Sequence, residues 1–330
     1  MIITRTPFRI SFFGGGTDYP EWYKQYGGSV LNTTINKYCY IMLRPFPPFF
    51  KYKYQIRYRK SECCVKIDSI KHPTVRECLK FMGIDSGIEL VHTADLPARS
   101  GLGSSSSFTV CFLHAINALN GKLITKRKLA LDAIHVEQNL IKENIGSQDQ
   151  TAAAFGGLNK VDFGGASNII ITPITPNHNI INKLQDNLML FFTGFSRTAS
   201  DVAGTYIKTL KKNNRKELFK MKEMVNYSIE LLYNNKLDDF GKLLNESWKL
   251  KKTFSKNISN DTIDEIYAEA LKCGALGGKL CGAGAGGFLL LYVPKEKQFF
   301  VKVALKDFLF VPFIFDTLGS QIILYNREEV

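Results

Sequence analysis

Short apolar runs, rich in β-branched and aromatic residues, alternate with polar positions through the first 170 residues, as half-buried strands do. They predict strands over residues 2–13, 29–35, 38–43, 51–59 and 87–93. Apolar residues at helical spacing predict a short helix over residues 74–82 and a long one over 104–120 that stops at Gly121. A third helix is predicted to begin at Thr125 as its N-cap, and more strand follows Gly156 and Gly157.

The second half of the chain has longer helical patterns. They predict helices around residues 218–232, 237–248, 261–272 and 295–305, and strands at 188–193, 288–293, 311–315 and 321–325, with a glycine-rich loop at 277–287. Strands and helices do not alternate strictly, so an α+β fold is expected rather than a doubly wound sheet. Pro173 and Pro176 mark the change, which predicts domains of residues 1–173 and 174–330.

The amino-acid composition excludes several classes of protein. The 330 residues are 45% hydrophobic and 22% charged, with a formal net charge of +13, which excludes disordered, collagen-like and coiled-coil proteins. No apolar run approaches the roughly 18 residues of a membrane span, and Arg5 and Arg9 interrupt the start of the chain where a signal peptide would be apolar. Seven cysteines without a CxxC pair and five scattered histidines disfavour a disulfide scaffold or zinc site, so a cytoplasmic location is expected.

The strongest local motif is PARSGLGSSSS at residues 97–107, directly before the long predicted helix. Glycines allow a backbone to approach an anion closely, and a helix start offers unpaired N–H groups and a positive dipole end. A serine-rich N-cap after a flexible loop is the alternative reading. As a phosphate site, the motif nominates these residues for ATP: Pro97, Ser100, Gly101, Leu102, Gly103, Ser104, Ser105 and Ser106.

Two other phosphate-binding motifs are excluded. The nearest match to a Walker loop has Cys273 at the first glycine position and lacks the hydroxyl residue after Lys279. Residues 282–287 spell GxGxxG, but an apolar strand pattern follows them instead of a helix, which excludes a dinucleotide fingerprint.

Three motifs together resemble the GHMP small-molecule kinases: PFRISFFGGGTD at residues 7–18, the glycine-serine loop, and KLCGAGAGGF at 279–288. The resemblance covers nearly the whole chain. It implies an N-terminal domain like ribosomal protein S5 and a C-terminal ferredoxin-like domain. Within the family, GGGTDYP at residues 14–20 and GSQDQ at 146–150 look most like the D-glycero-D-manno-heptose 7-phosphate kinases.

The resemblance implies roles for single residues. Asp149 matches the catalytic base, and Arg9 would keep it ionised and offset charge on the transferred phosphoryl. Ser105 and Glu137 match the ligands of Mg²⁺, which takes few ligands from protein. On the residues alone, Glu137 could be a solvated helix residue and Asp149 an N-cap. Sugar contacts are implied for Gly15, Gly16, Thr17, Asp18 and Gly284.

The resemblance also implies the reaction: ATP and Mg²⁺ phosphorylate the anomeric hydroxyl of heptose 7-phosphate, and the 1,7-bisphosphate feeds nucleotide-activated heptose for surface polysaccharide. Galactokinases carry Glu-His where this chain has Gly15 and Gly16, which argues against galactose, although fucose or galactose stays the alternative. The sugar's own phosphate requires cationic donors, and the candidates are Arg57, Arg59 and Arg197, unless the first two only form a solvated basic edge.

A different class of function is suggested by residues 37–66, where eight basic residues and many aromatics stand against one acid, Glu62. A basic, aromatic β-ribbon is typical of nucleic-acid binding, so an S5-like binding protein is the competing hypothesis. A binding protein does not need Asp149, Glu137 and two glycine loops. The kinase hypothesis is therefore preferred. The expected partners are ATP and a sugar phosphate, with neither membrane nor nucleic acid, and a homodimer is an open expectation.

Overall fold

The structure is a computed structural model that describes residues 1–164, 168–194, 204, 214–284 and 286–326. Its strands are β1 (Ile2–Phe13), β2 (Gly28–Pro45), β3 (Tyr54–Arg57), β4 (Ser61–Cys64), β5 (Ile88–Ala94), β6 (Asn159–Gly164), β7 (Asn168–Pro173), β8 (Leu188–Phe192), β9 (Gly277–Leu280), β10 (Phe288–Tyr292), β11 (Leu309–Phe310), β12 (Phe315–Asp316) and β13 (Gln321–Tyr325). Its helices are α1 (Pro20–Tyr26), α2 (Pro73–Phe81), α3 (Ser104–Leu119), α4 (Lys126–His135), α5 (Gln148–Phe155), α6 (His178–Asp186), α7 (Arg215–Tyr233), α8 (Leu237–Lys252), α9 (Asp261–Lys272) and α10 (Gln298–Ala304).

The N-terminal sheet is organised around β2. β1 runs antiparallel along one side of it, while β6 and β5 pair with the first and second parts of its other side. The two strands predicted at residues 29–35 and 38–43 are therefore one strand, and the irregularity between them is a register shift against β1 at Pro7/Phe8. β3 extends the sheet parallel to β5, and β4 closes its edge.

The C-terminal sheet has the order β11-β8-β10-β9, with all neighbours antiparallel. Numbered in chain order, this is 4-1-3-2, with α7, α8 and α9 in the first crossover and α10 in the second. A ferredoxin-like arrangement has this split β-α-β pattern. The mixed α+β fold expected from the sequence is thus confirmed.

Helix α3 is the central packing element between the N-terminal sheet and the rest of its domain. Twelve of its sixteen residues are buried. The chain ends it as predicted, because Gly121 adopts φ 65° just after the last turn. The predicted N-cap of α4 is also confirmed, since the Thr125 hydroxyl accepts a hydrogen bond from the Lys128 N–H at 3.2 Å.

Four segments differ from the sequence-based prediction. The predicted strand at residues 311–315 is wrong: β11 ends at Phe310 and β12 begins at Phe315. Strand β9 lies inside the glycine-rich segment predicted as loop, because its glycines let it pack closely; a Cβ on Gly277 would lie 2.1 Å from the Gly241 carbonyl oxygen. The short helices α1 and α6 were not predicted.

The last strands return to the first sheet. β13 pairs with β1, and β12 pairs with β2. One hydrophobic cluster also runs through both halves, from Phe12 on β1 to Phe240 on α8, whose rings meet edge to face at 5.5 Å. The domain boundary at residue 173 remains a prediction. After this residue the chain forms the C-terminal sheet and then returns to the N-terminal sheet through β12 and β13. Within the described residues, no helix is both long and apolar enough to cross a membrane.

Candidate active site

The loop predicted to hold phosphate lies between β5 and α3. Gly101 and Gly103 have φ of 83° and 78°, a conformation that favours glycine, and Gly103 is the N-cap of α3. Arg9 fixes this loop from β1: its backbone N–H donates to the Leu102 carbonyl at 3.0 Å, and its Nη1 donates to the Gly101 carbonyl at 2.8 Å. The amino end of a sixteen-residue helix is therefore held at a defined position in the cleft, where its first N–H groups suit an anion.

Arg99 has an unusual place in this loop. It adopts the left-handed conformation, with φ 61°, and its N–H donates to the Ser104 hydroxyl at 3.1 Å. Its side chain is exposed at the lip of the cleft, so its bulk is accommodated.

Arg9 and Asp149 form the central ion pair of the site. Nε and Nη2 of Arg9 each donate to one carboxylate oxygen of Asp149 at 2.7 Å, a two-pronged geometry that fixes both groups. Arg9 is only 4% exposed whereas Asp149 is 25% exposed, so the carboxylate reaches the cleft. Burial opposes the charge on Arg9, but the charge and hydrogen bonds of Asp149 outweigh it and raise the pKa of Arg9.

Asp18 lies on the other side of Asp149. The Gly16 N–H donates to its Oδ1 at 3.0 Å, and Nε2 of Gln148 donates to its Oδ2 at 2.9 Å. Burial and the nearby charge of Asp149 raise the pKa of Asp18. Gly146 is required here, since a Cβ on it would lie 1.8 Å from Oδ2 of Asp18.

These groups share one cleft of about 1170 Å³. One part of its wall is formed by Gly15, Gly16 and Asp18, and another by the phosphate loop and Asp149. A third part is an aromatic wall in which His72 stacks on Phe108 at 4.9 Å, between Tyr58 and His92. Burial, reinforced by His72, lowers the pKa of His92 to about 4, so this imidazole is uncharged, and the ring faces of the wall suit a flat base. The sequence analysis missed this aromatic wall.

Glu137 is completely buried behind α3, in a π-helical turn after α4. It accepts hydrogen bonds from the hydroxyls of Ser106 at 2.8 Å and Thr109 at 2.6 Å, and from the Gln150 side chain. Burial raises the pKa of Glu137 to about 7 despite these hydrogen bonds. It is therefore not the solvated helix residue that the sequence allowed.

Ser105 and Glu137, the two predicted magnesium ligands, do not contact each other. Ser106 donates to Glu137, whereas the side chain of Ser105 is exposed on the cleft side of the helix. Among the described residues no cluster of three or more His, Cys, Asp or Glu side chains could hold a metal. The donor set of Ser106 and Glu137, one hydroxyl that lines the cleft and one carboxylate behind it, fits a magnesium ion that takes its other ligands from phosphate and water.

Several predicted contacts do not face the cleft. Leu102 and Ser100 are buried beneath the loop, and the Ser100 carbonyl accepts from the Phe288 N–H. The Thr17 hydroxyl donates to the carbonyls of Gly14 and Ser29, so it closes the turn. Gly284 packs on the backbone of residue 258, where a Cβ would lie 2.6 Å from a carbonyl oxygen.

The three arginines predicted to bind the sugar's phosphate have different places. Arg57 is half exposed outside the cleft, 3.7 Å from Glu89, which also pairs with Arg44. Arg59 lines the cleft, next to Tyr58 in the sequence. Arg197 lies outside the described residues.

Two buried cations that line the cleft were missed by the sequence analysis, Lys251 at the end of α8 and Lys279 on β9. Burial lowers the pKa of Lys251 to about 8 and that of Lys279 to about 7. Lys279 lies within the third motif, the one signal that could have drawn attention to it.

Comparison with known proteins places these features in a context. Family models described as "GHMP kinases N terminal domain" and "GHMP kinases C terminal" match residues 70–157 and 228–309. A D-glycero-alpha-D-manno-heptose 7-phosphate kinase from Campylobacter jejuni is 31% identical, over 92% of this chain and 93% of that protein. An L-fucokinase/L-fucose-1-P guanylyltransferase from Bacteroides fragilis is 26% identical, over 91% of this chain and 35% of that protein.

Among solved structures, a D-glycero-D-manno-heptose 1-phosphate kinase from Bacteroides thetaiotaomicron superposes with a TM-score of 0.80 over 99% of this chain and 100% of that chain. Its sequence identity is 22%, so this match shows the fold alone.

Proposed function

The chain belongs to the GHMP kinase family and is a sugar kinase that phosphorylates an alcohol group, and on that premise we propose that its acceptor is D-glycero-D-manno-heptose 7-phosphate. ATP donates its γ-phosphoryl group to the anomeric hydroxyl, and the product is the 1,7-bisphosphate. The similarity to the Campylobacter jejuni enzyme along nearly the full length of both chains supports this acceptor.

The observation that carries the proposal is the Arg9–Asp149 pair beside the amino end of α3. Asp149 takes the proton of the anomeric hydroxyl as its oxygen bonds to the γ-phosphorus, while the bond from that phosphorus to the ADP oxygen breaks. Arg9 orients the carboxylate through both of its oxygens and lies beside Gly101, where it offsets charge on the transferred group. The N–H groups of α3 hold the ATP phosphates.

Magnesium would be held by Ser106 and Glu137, with Ser105 the alternative hydroxyl. When bound, it neutralises phosphate charge. A carboxylate offers about four acceptor positions, of which Glu137 uses three, and it lies directly behind Ser106, which lines the cleft.

Room for a seven-carbon sugar is present at the end of the cleft near Asp18. A Cβ on Gly15 would meet nothing within 4 Å, so this glycine leaves open space where galactokinases carry a larger residue. Asp18, held by Gly16 and Gln148, presents its carboxylate to sugar hydroxyls. The space supports a heptose over galactose.

The competing nucleic-acid hypothesis finds less support. In the basic segment, Arg44 and Arg57 are paired with Glu89, and Phe46, Phe50 and Tyr52 stack on each other. A cytoplasmic location, a role in surface polysaccharide synthesis and a homodimer stay predictions.

The acceptor is tested by incubating the protein with ATP and Mg²⁺ and a panel of heptose 7-phosphate, free heptose, fucose and galactose. We expect phosphorus NMR to show an anomeric phosphate on heptose 7-phosphate, with kcat/KM far above that of the unphosphorylated sugars. A higher kcat/KM for fucose or galactose would reject the proposed acceptor while leaving the kinase assignment intact.

A further inference from the structure

We propose that Lys251 and Lys279, together with the Ser11 hydroxyl, form the site that binds the acceptor sugar's own phosphate group. This inference rests on the proposed function, because it concerns the acceptor end of the same cleft. It differs from the arginines that the sequence nominated, of which Arg57 lies outside the cleft and Arg59 lines it next to Tyr58.

The two lysines are buried cations without an acidic partner in the described chain. Lys279 is 3% exposed and Lys251 is 6% exposed, and both line the cleft. Each donates one hydrogen bond to a backbone carbonyl, Lys279 to Phe12 at 3.1 Å and Lys251 to Gly282. An ammonium has three N–H donors, so two on each lysine are available for a ligand.

Burying a charge in this way is costly unless something compensates it. Without a ligand the positive charges of the two lysines are compensated incompletely, since burial lowers the pKa of both lysines. A phosphate dianion supplies the missing counter-charge, and its oxygens accept several hydrogen bonds at once. Two adjacent buried ammonium groups are thus understandable as a site for an anion and hard to explain as part of an apolar core.

Ser11 adds an independent observation. It is 6% exposed, lines the cleft from β1, and its Oγ has no hydrogen-bond partner among the described residues. Buried hydroxyls are almost always paired, so an unpaired one at the cleft wall indicates a ligand contact. On β1 it lies next to Phe12, whose carbonyl anchors Lys279.

The position of these groups favours the acceptor over ATP. Lys279 is anchored at Phe12, three residues along β1 from Arg9, which in a strand is roughly 10 Å towards the turn that holds Asp18. Phe254, three residues after Lys251, has a ring that would lie 3.2 Å from a Cβ on Gly16, while the Gly282 carbonyl that anchors Lys251 belongs to the loop that packs on Gly101. Lys279 therefore borders the sugar end, and Lys251 lies between that end and the phosphate loop, whereas Arg9 and α3 serve the ATP phosphates.

The site is tested by isothermal titration calorimetry without ATP, which measures the affinities for heptose 7-phosphate and for free heptose. The variants are Lys279→Met, Lys251→Met and the double variant. Lys249→Met is the matched control, because Lys249 lies on the same helix and is exposed. We expect wild type and control to bind the phosphorylated sugar more tightly than free heptose. Each cleft variant should weaken heptose 7-phosphate binding about 10- to 100-fold, and free heptose by less than about threefold, as expected for lost charged hydrogen bonds.

Three results would overturn the inference: no preference of the wild type for the phosphorylated sugar, no effect of the lysine variants, or an equal loss for both sugars. An equal loss would assign the lysines to the sugar ring or to the architecture of the cleft. Thermal unfolding checks that the variants fold. If a methionine variant does not, Lys279→Arg, which keeps the charge, must retain more of the preference than Lys279→Gln.

Failure of the proposed function is distinguishable from failure of this inference. Absence of the bisphosphate in the NMR assay rejects the proposed acceptor. The binding comparison needs no turnover, so it still decides whether these lysines recognise a phosphate group on a sugar.

Discussion

Asp149 gains its proposed role from geometry, because one partly exposed carboxylate is oriented through both oxygens by a buried guanidinium. Asp149→Asn keeps the size and one oxygen acceptor for Arg9 but cannot take up a proton. We expect kcat to fall by about 10² or more while the KM for ATP changes little. Steady-state kinetics with a thermal-unfolding control measure this. Near wild-type turnover in a folded variant would show that positioning alone carries the reaction.

Substitutions of Glu137, Ser105 and Ser106 can distinguish which of the two serine hydroxyls binds Mg²⁺. Glu137→Gln removes the charge of the proposed ligand and should raise the Mg²⁺ concentration for half-maximal rate roughly tenfold or more. Ser106→Ala should act in the same direction and more strongly than Ser105→Ala, since Ser106 touches Glu137. A magnesium titration in which only Ser105→Ala matters would restore the serine that the family resemblance implied.

Acceptor binding should depend on pH through the lysines. The pKa values of Lys279 and Lys251 are lowered to about 7 and about 8, and the titratable groups around them are Arg9, Asp18, Asp149 and the Cys281 thiol. Both lysines lose their positive charge as pH rises through these values, while a phosphate monoester is already mainly dianionic at about pH 7. The dissociation constant of heptose 7-phosphate should therefore increase between about pH 6.5 and 9. In Lys279→Met this increase should be smaller, and an unchanged profile would contradict the assignment.

At the scale of elements, two glycine loops pack against each other and hold the phosphate loop in place. A Cβ on Gly282 would lie 2.6 Å from the Gly101 Cα, and Gly282 has φ 74°. Gly121 offers a matched control, with φ 65° and nothing within 4 Å of where a Cβ would stand. Gly121→Ala should cost only the local strain of about 1 kcal/mol in the free energy of unfolding.

Gly282→Ala should cost more than about 2 kcal/mol, because neither backbone can yield without displacing the loop. It should also raise the KM for ATP, which Gly121→Ala should not. Urea unfolding and ATP kinetics measure both effects. Equal costs in the two variants would mean that the loops do not pack as closely as described.

For the molecule as a whole, one hydrophobic cluster and the return of β12 and β13 join the two halves. We expect the full chain to unfold in a single calorimetric transition. A fragment of residues 1–173 keeps β2 beside β1 but lacks β13, the other strand that pairs with β1, and the aromatic partners of Phe12, so it should not unfold cooperatively. A fragment with native-like circular dichroism and a sharp transition would show that the predicted boundary separates independent units.

Much of the fold could be predicted because its signals are local. The apolar spacing of α3, the glycine after it and the serine-rich loop before it act within a few residues, where backbone conformation and capping are decided. The strand at 311–315 failed for the opposite reason: β11 and β12 are two-residue pairings with different sheets, and only their partners define them. Short elements such as α1 depend similarly on the core that buries Trp22.

The sequence by itself determined the α+β class and the kinase family, and it nominated the phosphate loop, Arg9, Asp18 and Asp149 as site residues, because these follow from local patterns and from three motifs in a fixed order. Only the tertiary structure decided which side chains meet. It placed Glu137 against Ser106 instead of Ser105, since successive helix residues point in directions about 100° apart. In the structure Arg57 lies outside the cleft, whereas Lys251 on α8 and Lys279 on β9 line it. Contacts between residues far apart in the chain depend on how the sheets and helices pack, and no local pattern carries that information.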